Sequence, residues 1–594
     1  MTATDSQTWN LDAIFAGGTA GPAFLAEATA VEAVADALVV RGDAVGEPGQ
    51  DPRWDDLLLD LLAAEERAGQ LSGFAHCHSA AAALDPAVGR ALSRVEALFT
   101  RLQRAWSRPT DRIARCDDDA FAALRARPRL ATLQPMLDDL RPLGRLLLPA
   151  GEQALASELA QDAIHAWGQR YNLISATIVV ETGGETLSAA QASNLLFDSD
   201  PAVREGAGRG LQAAWAAQAD ACADALSHIV GWRATIAGRL GVSPVDEALT
   251  NGRISRPTLD ALMAACATAR PILWRFLAAK ARLLGRDKLH FWDLAAPVGK
   301  TTAKPSWQDA QETVMRRFGA FSPRMEAFVQ RALDGGWVEA EDRGGKRPGA
   351  FCTDLPKSAE SRVFMTYGQS MHSLLTLAHE LGHAYHNEVL ASSPPAQRRL
   401  TNTLAETAST FGEALVRGAA LEDARGTPDE LALLDGDLTD AATFLLNIPL
   451  RYEFETALYA LRRKGALDPQ ELDARMIALH RAWYGPAFGE ADASFWSRKL
   501  HFFLSWSPFY NFPYTFGYLF SGLVYTRARA EGPAWADGYD RLLADTGAGP
   551  AEAVAQRHLG VDLTDPRCWT PTLQELERRV ERYLELAALA APTA

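Results

Sequence analysis

The chain has 594 residues, of which 48% are hydrophobic and 22% charged, a globular balance that excludes a mainly disordered chain and is enough for a large core. Lys and Arg number 59 against 74 Asp and Glu, giving a formal charge of −15, so the basic footprint of a nucleic-acid-binding protein is missing. Cys77, Cys116, Cys222, Cys266, Cys352 and Cys568 form no C-x-x-C pair, which argues against a disulfide scaffold and for reduced, mostly buried thiols.

The first residues carry no basic-then-apolar signal pattern, and no apolar run approaches bilayer length. A cytoplasmic chain without a membrane partner is therefore expected. Apolar residues recur at spacings of three and four, as in Leu57, Leu58, Leu61 and Leu62, or Ala261, Leu262 and Cys266. Helices separated by short Gly/Pro punctuation point to a mainly α fold of the size of a large helical enzyme.

In chain order, Gly46–Pro52 reads as a loop. His76-Cys77-His78 resembles a metal cluster, but neighbouring side chains on a helix diverge, so these read as helix-surface or core residues. Asp198-Ser199-Asp200-Pro201 reads as a helix start and a boundary. Three regions are expected: a helical region over 1–115, a helical subdomain over 116–197 and a catalytic domain over 198–594. Asp334-Gly335-Gly336 and Arg343–Gly349 bracket a polar hairpin or loop, and Ser361–Tyr367 is the best strand candidate. An exposed edge at Val363–Tyr367 could receive an extended peptide by main-chain pairing; a purely structural hairpin is the alternative.

The segment from Ser370 contains His379-Glu380-Leu381-Gly382-His383, an H-E-x-x-H motif, with Leu374, Leu377, Ala378, Leu381 and Ala384 at helical spacing. On a helix, His379 and His383 lie one turn apart on one face and can pinch one zinc ion. Glu380 then points near the metal without being forced to bind it, which is where a general base for a zinc-bound water belongs. Imidazoles and a carboxylate on the buried side of an apolar helix are costly unless something compensates them, and a metal compensates all three. Catalytic zinc needs a third protein ligand and an open position. After Ser392-Ser393-Pro394-Pro395, with Thr401 or Asn402 as cap, a second helix over Asn402–Leu415 is expected to pack antiparallel to the first. Glu406 in its first turns is the expected third ligand. Glu413, two turns on, is the expected acceptor for a ligand imidazole N–H, and His386 is either a similar partner or a helix-end polar residue.

His379–His386 followed by Leu404–Phe411 resembles the oligoendopeptidase F branch of the thimet oligopeptidase family of zinc metallopeptidases. Trp9–Asp12, Leu187-Ser188, Asn194–Leu196, Pro201–Arg204 and Lys346–Cys352 are similar to further segments of that branch, so the likeness runs over most of the chain. The resemblance implies a mainly helical fold split by a deep channel, one zinc ion per chain at its floor, and short unstructured peptides cut internally. It also implies oxyanion-stabilising groups from an aromatic segment of the C-terminal third. Here His501, Tyr510, Tyr514 and Tyr518 match in type, with Tyr514 ranked first, although core packing explains many of the aromatics. A zinc carboxypeptidase or dipeptidyl carboxypeptidase and a non-catalytic helical peptide-binding protein are the rival readings.

Overall fold

The computed structural model describes residues 6–299 and 304–590. The architecture is mainly α, with one two-stranded and one three-stranded sheet among the described residues. The chain forms two compact units, each drawn from three stretches. Residues 1–144, 303–420 and 521–561 make the first, and 145–302, 421–520 and 562–594 the second.

The first unit opens on three long helices, Pro22–Ala44, Arg53–Ala81 and Pro86–Arg115. Their apolar stripes meet in one core that includes Phe24, Trp54, Leu58, Leu61, Phe74 and Leu98. The Trp54 indole N–H donates to the Gly46 carbonyl at 3.0 Å, fastening the expected loop to this core. His76, Cys77 and His78 lie on the second helix and do diverge. The His76 ring meets the Ser72 carbonyl, Cys77 is buried, and His78 packs edge-on against Phe74.

The three-stranded sheet also belongs to this unit. Glu360–Phe364 is its central strand, parallel to Val338–Glu339 on one side and antiparallel to Phe351–Leu355 on the other. Backbone hydrogen bonds to 337–340 continue past the strand as far as Tyr367. On the 337–340 side the segment has no free edge for a peptide, because the Val363, Met365 and Tyr367 donors are taken there, and on the other side it is paired as far as Phe364. The outer position is held by Phe351–Leu355.

In the second unit, Asp200 caps the helix Pro201–Ala216 by accepting from Ala202 N–H, as the Asp-Pro signal implied. Two ion pairs are buried here: Arg204 with Asp293 at 3.0 Å, and Lys280 with Asp435 at 2.9 Å. Asp435 also accepts from the Tyr583 hydroxyl. Such pairs hold one arrangement because removal of either partner leaves a buried charge. The expectation that no segment reaches bilayer length needs one correction. The helix Arg256–Leu283 is long and apolar enough on composition to cross a membrane, but it packs against Thr570–Ala590 and uses Lys280 internally.

Candidate metal centre and aromatic loop

The H-E-x-x-H motif sits in the helix Met371–Leu390, whose first turn is capped by Ser370 Oγ accepting from Ser373 N–H at 3.2 Å. Leu374, Leu377, Ala378, Leu381 and Ala384 are buried, as their spacing requires. The second helix begins at Thr407, five residues later than expected. Residues 401–406 instead form tight turns, and Glu406 precedes the helix, its carbonyl accepting from Thr410 N–H. Thr, Asn and Thr at 401–403 favour such turns over helix.

Two glycines let these helices touch backbone to backbone. A Cβ on Gly382 would stand 2.5 Å from the Ala408 carbonyl oxygen, and one on Gly412 would stand 2.9 Å from the Ala378 carbonyl oxygen. Positions 382 and 378 thus face 408 and 412 in reverse order, so the helices run antiparallel. That approach carries Glu406 to the face presenting both histidines.

The Glu406 Oε2 atom lies 3.4 Å from His379 Nε2 and 3.3 Å from His383 Nε2. Tetrahedral zinc with bonds of about 2.0–2.1 Å spaces its donors roughly 3.3–3.4 Å apart, so both separations suit that ion. Among the described residues this is the one cluster of three or more His, Cys, Asp or Glu that could hold a metal. His379 Nδ1 meets Glu413 Oε2 at 3.3 Å, a contact that fixes the ring with Nε2 toward Glu406. Glu380 is buried, and its Oε2 has no hydrogen-bond partner. That atom and the two-imidazole, one-carboxylate donor set fit a zinc centre with a base beside it.

The electrostatics point the same way. Burial works against the protonated form of His379, but Glu406 and Glu413 outweigh it and push its pKa up to about 10. Burial likewise opposes ionisation of Glu406, yet His379 and His383 hold its carboxyl far below the usual range. The cluster stabilises positive charge at its centre. Burial raises the Glu380 carboxyl, with the histidines acting against it.

Two supporting residues were missed in the sequence. Ser409 is fully buried and donates its hydroxyl to Glu406 Oε2 at 2.8 Å. Arg417 pairs with Glu413 Oε1. Both follow from helical spacing, three residues after Glu406 and four after Glu413. His386 goes elsewhere: it is fully buried, with Nε2 2.8 Å from Thr546 Oγ1, and no hydrogen bond ties it to a ligand residue among the described residues.

The C-terminal His and Tyr residues all belong to the second unit. Tyr510 centres a cluster, with ring centroids 5.1 Å from His501 and 5.8 Å from Tyr514, whose hydroxyl donates to that of Tyr510 at 3.2 Å. Tyr518 is separate, stacked on Phe444 and in contact with Arg579.

His501 is tied to a neighbour in the same segment. Its Nδ1 lies 2.5 Å from Asn511 Oδ1, which accepts from Arg451 at 2.9 Å. That oxygen is an acceptor, so Nδ1 carries the ring proton. Burial, with the charges of Lys499 and Arg451, lowers the pKa to about 4, against the bond to Asn511. In the neutral ring, with Nδ1–H committed to Asn511, Nε2 is left as an acceptor.

A family model described as "Peptidase family M3" matches residues 195–574, and another described as "Oligopeptidase F" matches residues 112–179. Oligopeptidase PepF of Bacillus subtilis (strain 168) is 24% identical over 347 residues, 57% of this chain and 51% of that protein. The chain spans about half the length of the curated relatives it matches. A solved protein of Chlamydophila abortus superposes with a TM-score of 0.80 at 18% identity, over 96% of this chain and 98% of its own. Oligoendopeptidase-F from Enterococcus faecium superposes with a TM-score of 0.68 at 20% identity, over 95% of this chain and 99% of that one. At these identities the structural likeness is one of fold.

Proposed function

The chain belongs to peptidase family M3, and on that premise we propose that it is a zinc-dependent endopeptidase acting on internal bonds of short, unstructured oligopeptides. The observation that carries the reading is the convergence of His379 Nε2, His383 Nε2 and Glu406 Oε2 beside the unpartnered Glu380 carboxylate. His379, His383 and Glu406 would hold the metal. When bound, zinc supplies a Lewis acid that brings the pKa of water to roughly neutrality and polarises a carbonyl.

Glu380 takes the proton from the attacking water and passes it to the leaving amine. Burial makes it a stronger base than an exposed glutamate, which suits that exchange. Glu413 holds His379 in the tautomer that points Nε2 inward, and Arg417 holds Glu413. Ser409 fixes the Glu406 carboxylate. Tyr514, with Tyr510, is proposed as the donor to the developing oxyanion. His501 is proposed as a hydrogen-bond acceptor for substrate N–H.

The test is hydrolysis of an internally quenched, end-blocked short peptide, with product masses, under chelation and after zinc addition. Internal cleavage lost on chelation and restored by zinc is expected. Cleavage confined to peptides with free ends would favour the carboxypeptidase reading, and no cleavage of either would favour a binding protein. Glu380→Gln should retain zinc and lose nearly all turnover; near-normal activity in that variant would sink the assignment.

A further inference from the structure

The second unit holds a cavity that the proposed hydrolysis does not use. Its volume is about 430 Å³, inside the range of roughly 300–1,000 Å³ typical of small-molecule sites. The helices Ala150–Ala160, Ala219–Leu240 and Pro244–Gly252 supply its walls, with Ser505 and Trp506 at one side. Ile164, Trp232, Ile236, Leu240 and Trp506 make the lining largely apolar. Trp506 is 61% exposed, a large aromatic surface left in water at the rim. Residues Gln161–His165 form a single π-helical turn, a geometry frequent at functional sites. That turn presents Ile164 and His165 to the cavity, the latter bonded to Ser505 Oγ at 2.9 Å.

Two charged side chains reach this lining, Arg233 and Glu247. Glu247 lies in the first turn of the Pro244–Gly252 helix, where the helix dipole favours a carboxylate. Among the described residues its side chain makes no hydrogen bond. Burial raises its carboxyl, and the charge of Arg233 only partly offsets that. Arg233 is engaged elsewhere: it donates to the Leu504 carbonyl, and its charge also acts on the buried Glu455 and Tyr459. One guanidinium thus serves two carboxyl groups. The Glu247 carboxyl thus faces a largely apolar cavity without a hydrogen-bond partner among the described residues, where an unpaired charge is costly.

We propose that this cavity binds a small aliphatic amine, its ammonium paired with Glu247 and its apolar tail against Trp232, Ile236 and Trp506. A primary ammonium supplies a positive charge and up to three donors, while the tail removes the tryptophan faces from water. A carboxylate or phosphate ligand would set a second negative charge against Glu247. The inference rests on the unbonded Glu247 carboxyl and the apolar shape of this cavity, and does not depend on the peptidase reading.

Isothermal titration calorimetry on the full chain tests it with isoamylamine and its neutral isostere, isoamyl alcohol. The amine is expected to bind saturably, and at least about tenfold more tightly than the alcohol, as a charged hydrogen bond implies. Glu247→Gln should bring the amine down to the level of the alcohol. Ala160→Phe, which fills one wall, should remove both. Equal affinities for amine and alcohol on the unaltered chain overturn the proposal, as does the absence of saturable amine binding. Amine binding that survives Ala160→Phe belongs to another site and overturns it too. The comparison of the two ligands needs no variant, so it stands even where a substitution unfolds the protein.

Discussion

Replacing Gly382 by alanine adds one methyl group between the two histidines of the motif, and should cost the protein its metal. The new Cβ would sit 2.5 Å from the Ala408 carbonyl oxygen and 2.7 Å from Ser409 Cα, whereas ordinary contact begins at 3.4 Å. The second helix must therefore retreat by the difference, about 0.9 Å. Both partners of the clash are backbone, so no side-chain rotation relieves it. Glu406 immediately precedes that helix and moves with it. A metal site tolerates about 0.2 Å in its bond lengths, so a retreat of this size takes the carboxylate out of bonding range. Zinc affinity should fall at least about 100-fold, the upper end of the loss caused by removing a supporting contact. Strain should also lower stability by roughly 1–3 kcal/mol. Competition with a chromogenic chelator reads the first quantity and thermal melting the second. Gly89→Ala is the control: that helical glycine has open space around its Cβ position, so alanine there should leave zinc binding unchanged and stabilise by about 0.5–1 kcal/mol. If Gly382→Ala bound zinc within about threefold of the parent and melted at the same temperature, the close approach of the two helices would not be what assembles the site.

Ser409→Ala should weaken zinc about 10–100-fold while leaving the helix formed, because it frees the Glu406 carboxylate and removes one bond to the Glu406 carbonyl, which still accepts from Thr410 N–H; chelator competition with circular dichroism separates the two. Tyr514→Phe should lower kcat on the order of 10²-fold with zinc content unchanged, and an unaltered kcat would remove Tyr514 from the reaction. Glu455, fully enclosed and accepting from Phe509 N–H at 2.7 Å, has its pKa raised by burial from 4.5 to about 7. The folded chain keeps this proton after the unfolded chain has lost it, so the group's contribution to stability falls as pH rises from 4.5 to about 7 and is flat above. Glu455→Gln retains an acceptor for Phe509 and should be the more stable protein at pH 8, by on the order of 3 kcal/mol; parallel melting curves for the two across that range would refute the assignment.

The legible part of the site was the part set by helical spacing. His379, Glu380 and His383 fall within one turn and a residue, so their common face follows from the 3.6-residue repeat. Glu406 could be placed because a short linker must return the chain beside the first helix, although its helix starts later than the pattern suggested. The role of Gly382 was not legible, since a glycine in a helix reads as a loss of propensity until the backbone opposite it is known. The strand at 360–364 was found, but its central position depends on partners at 338–339 and 351–355 that the local pattern cannot supply. The aromatic segment was legible only as residue types, for a similar reason. Four residues matched a donor in type, and their surroundings differ through the neighbouring Asn511 and through Arg451, Phe444 and Arg579, which are remote in sequence.

The contacts beneath the motif helix bear on the order in which the protein is made. Tyr385 donates to Asp540 at 2.5 Å, and His386 meets Thr546 at 2.8 Å, across 155 and 160 residues of chain. A ribosome that has just released the two histidines has not yet synthesised the surface against which their helix rests. Until then the helix has an apolar flank and an imidazole without their partners, a condition that invites chaperone binding and delays metal capture. On the proposed reading, loading with zinc would be a late step in biogenesis, after the polypeptide is complete past Thr546, and a nascent chain stalled before that residue should be poor at retaining the ion.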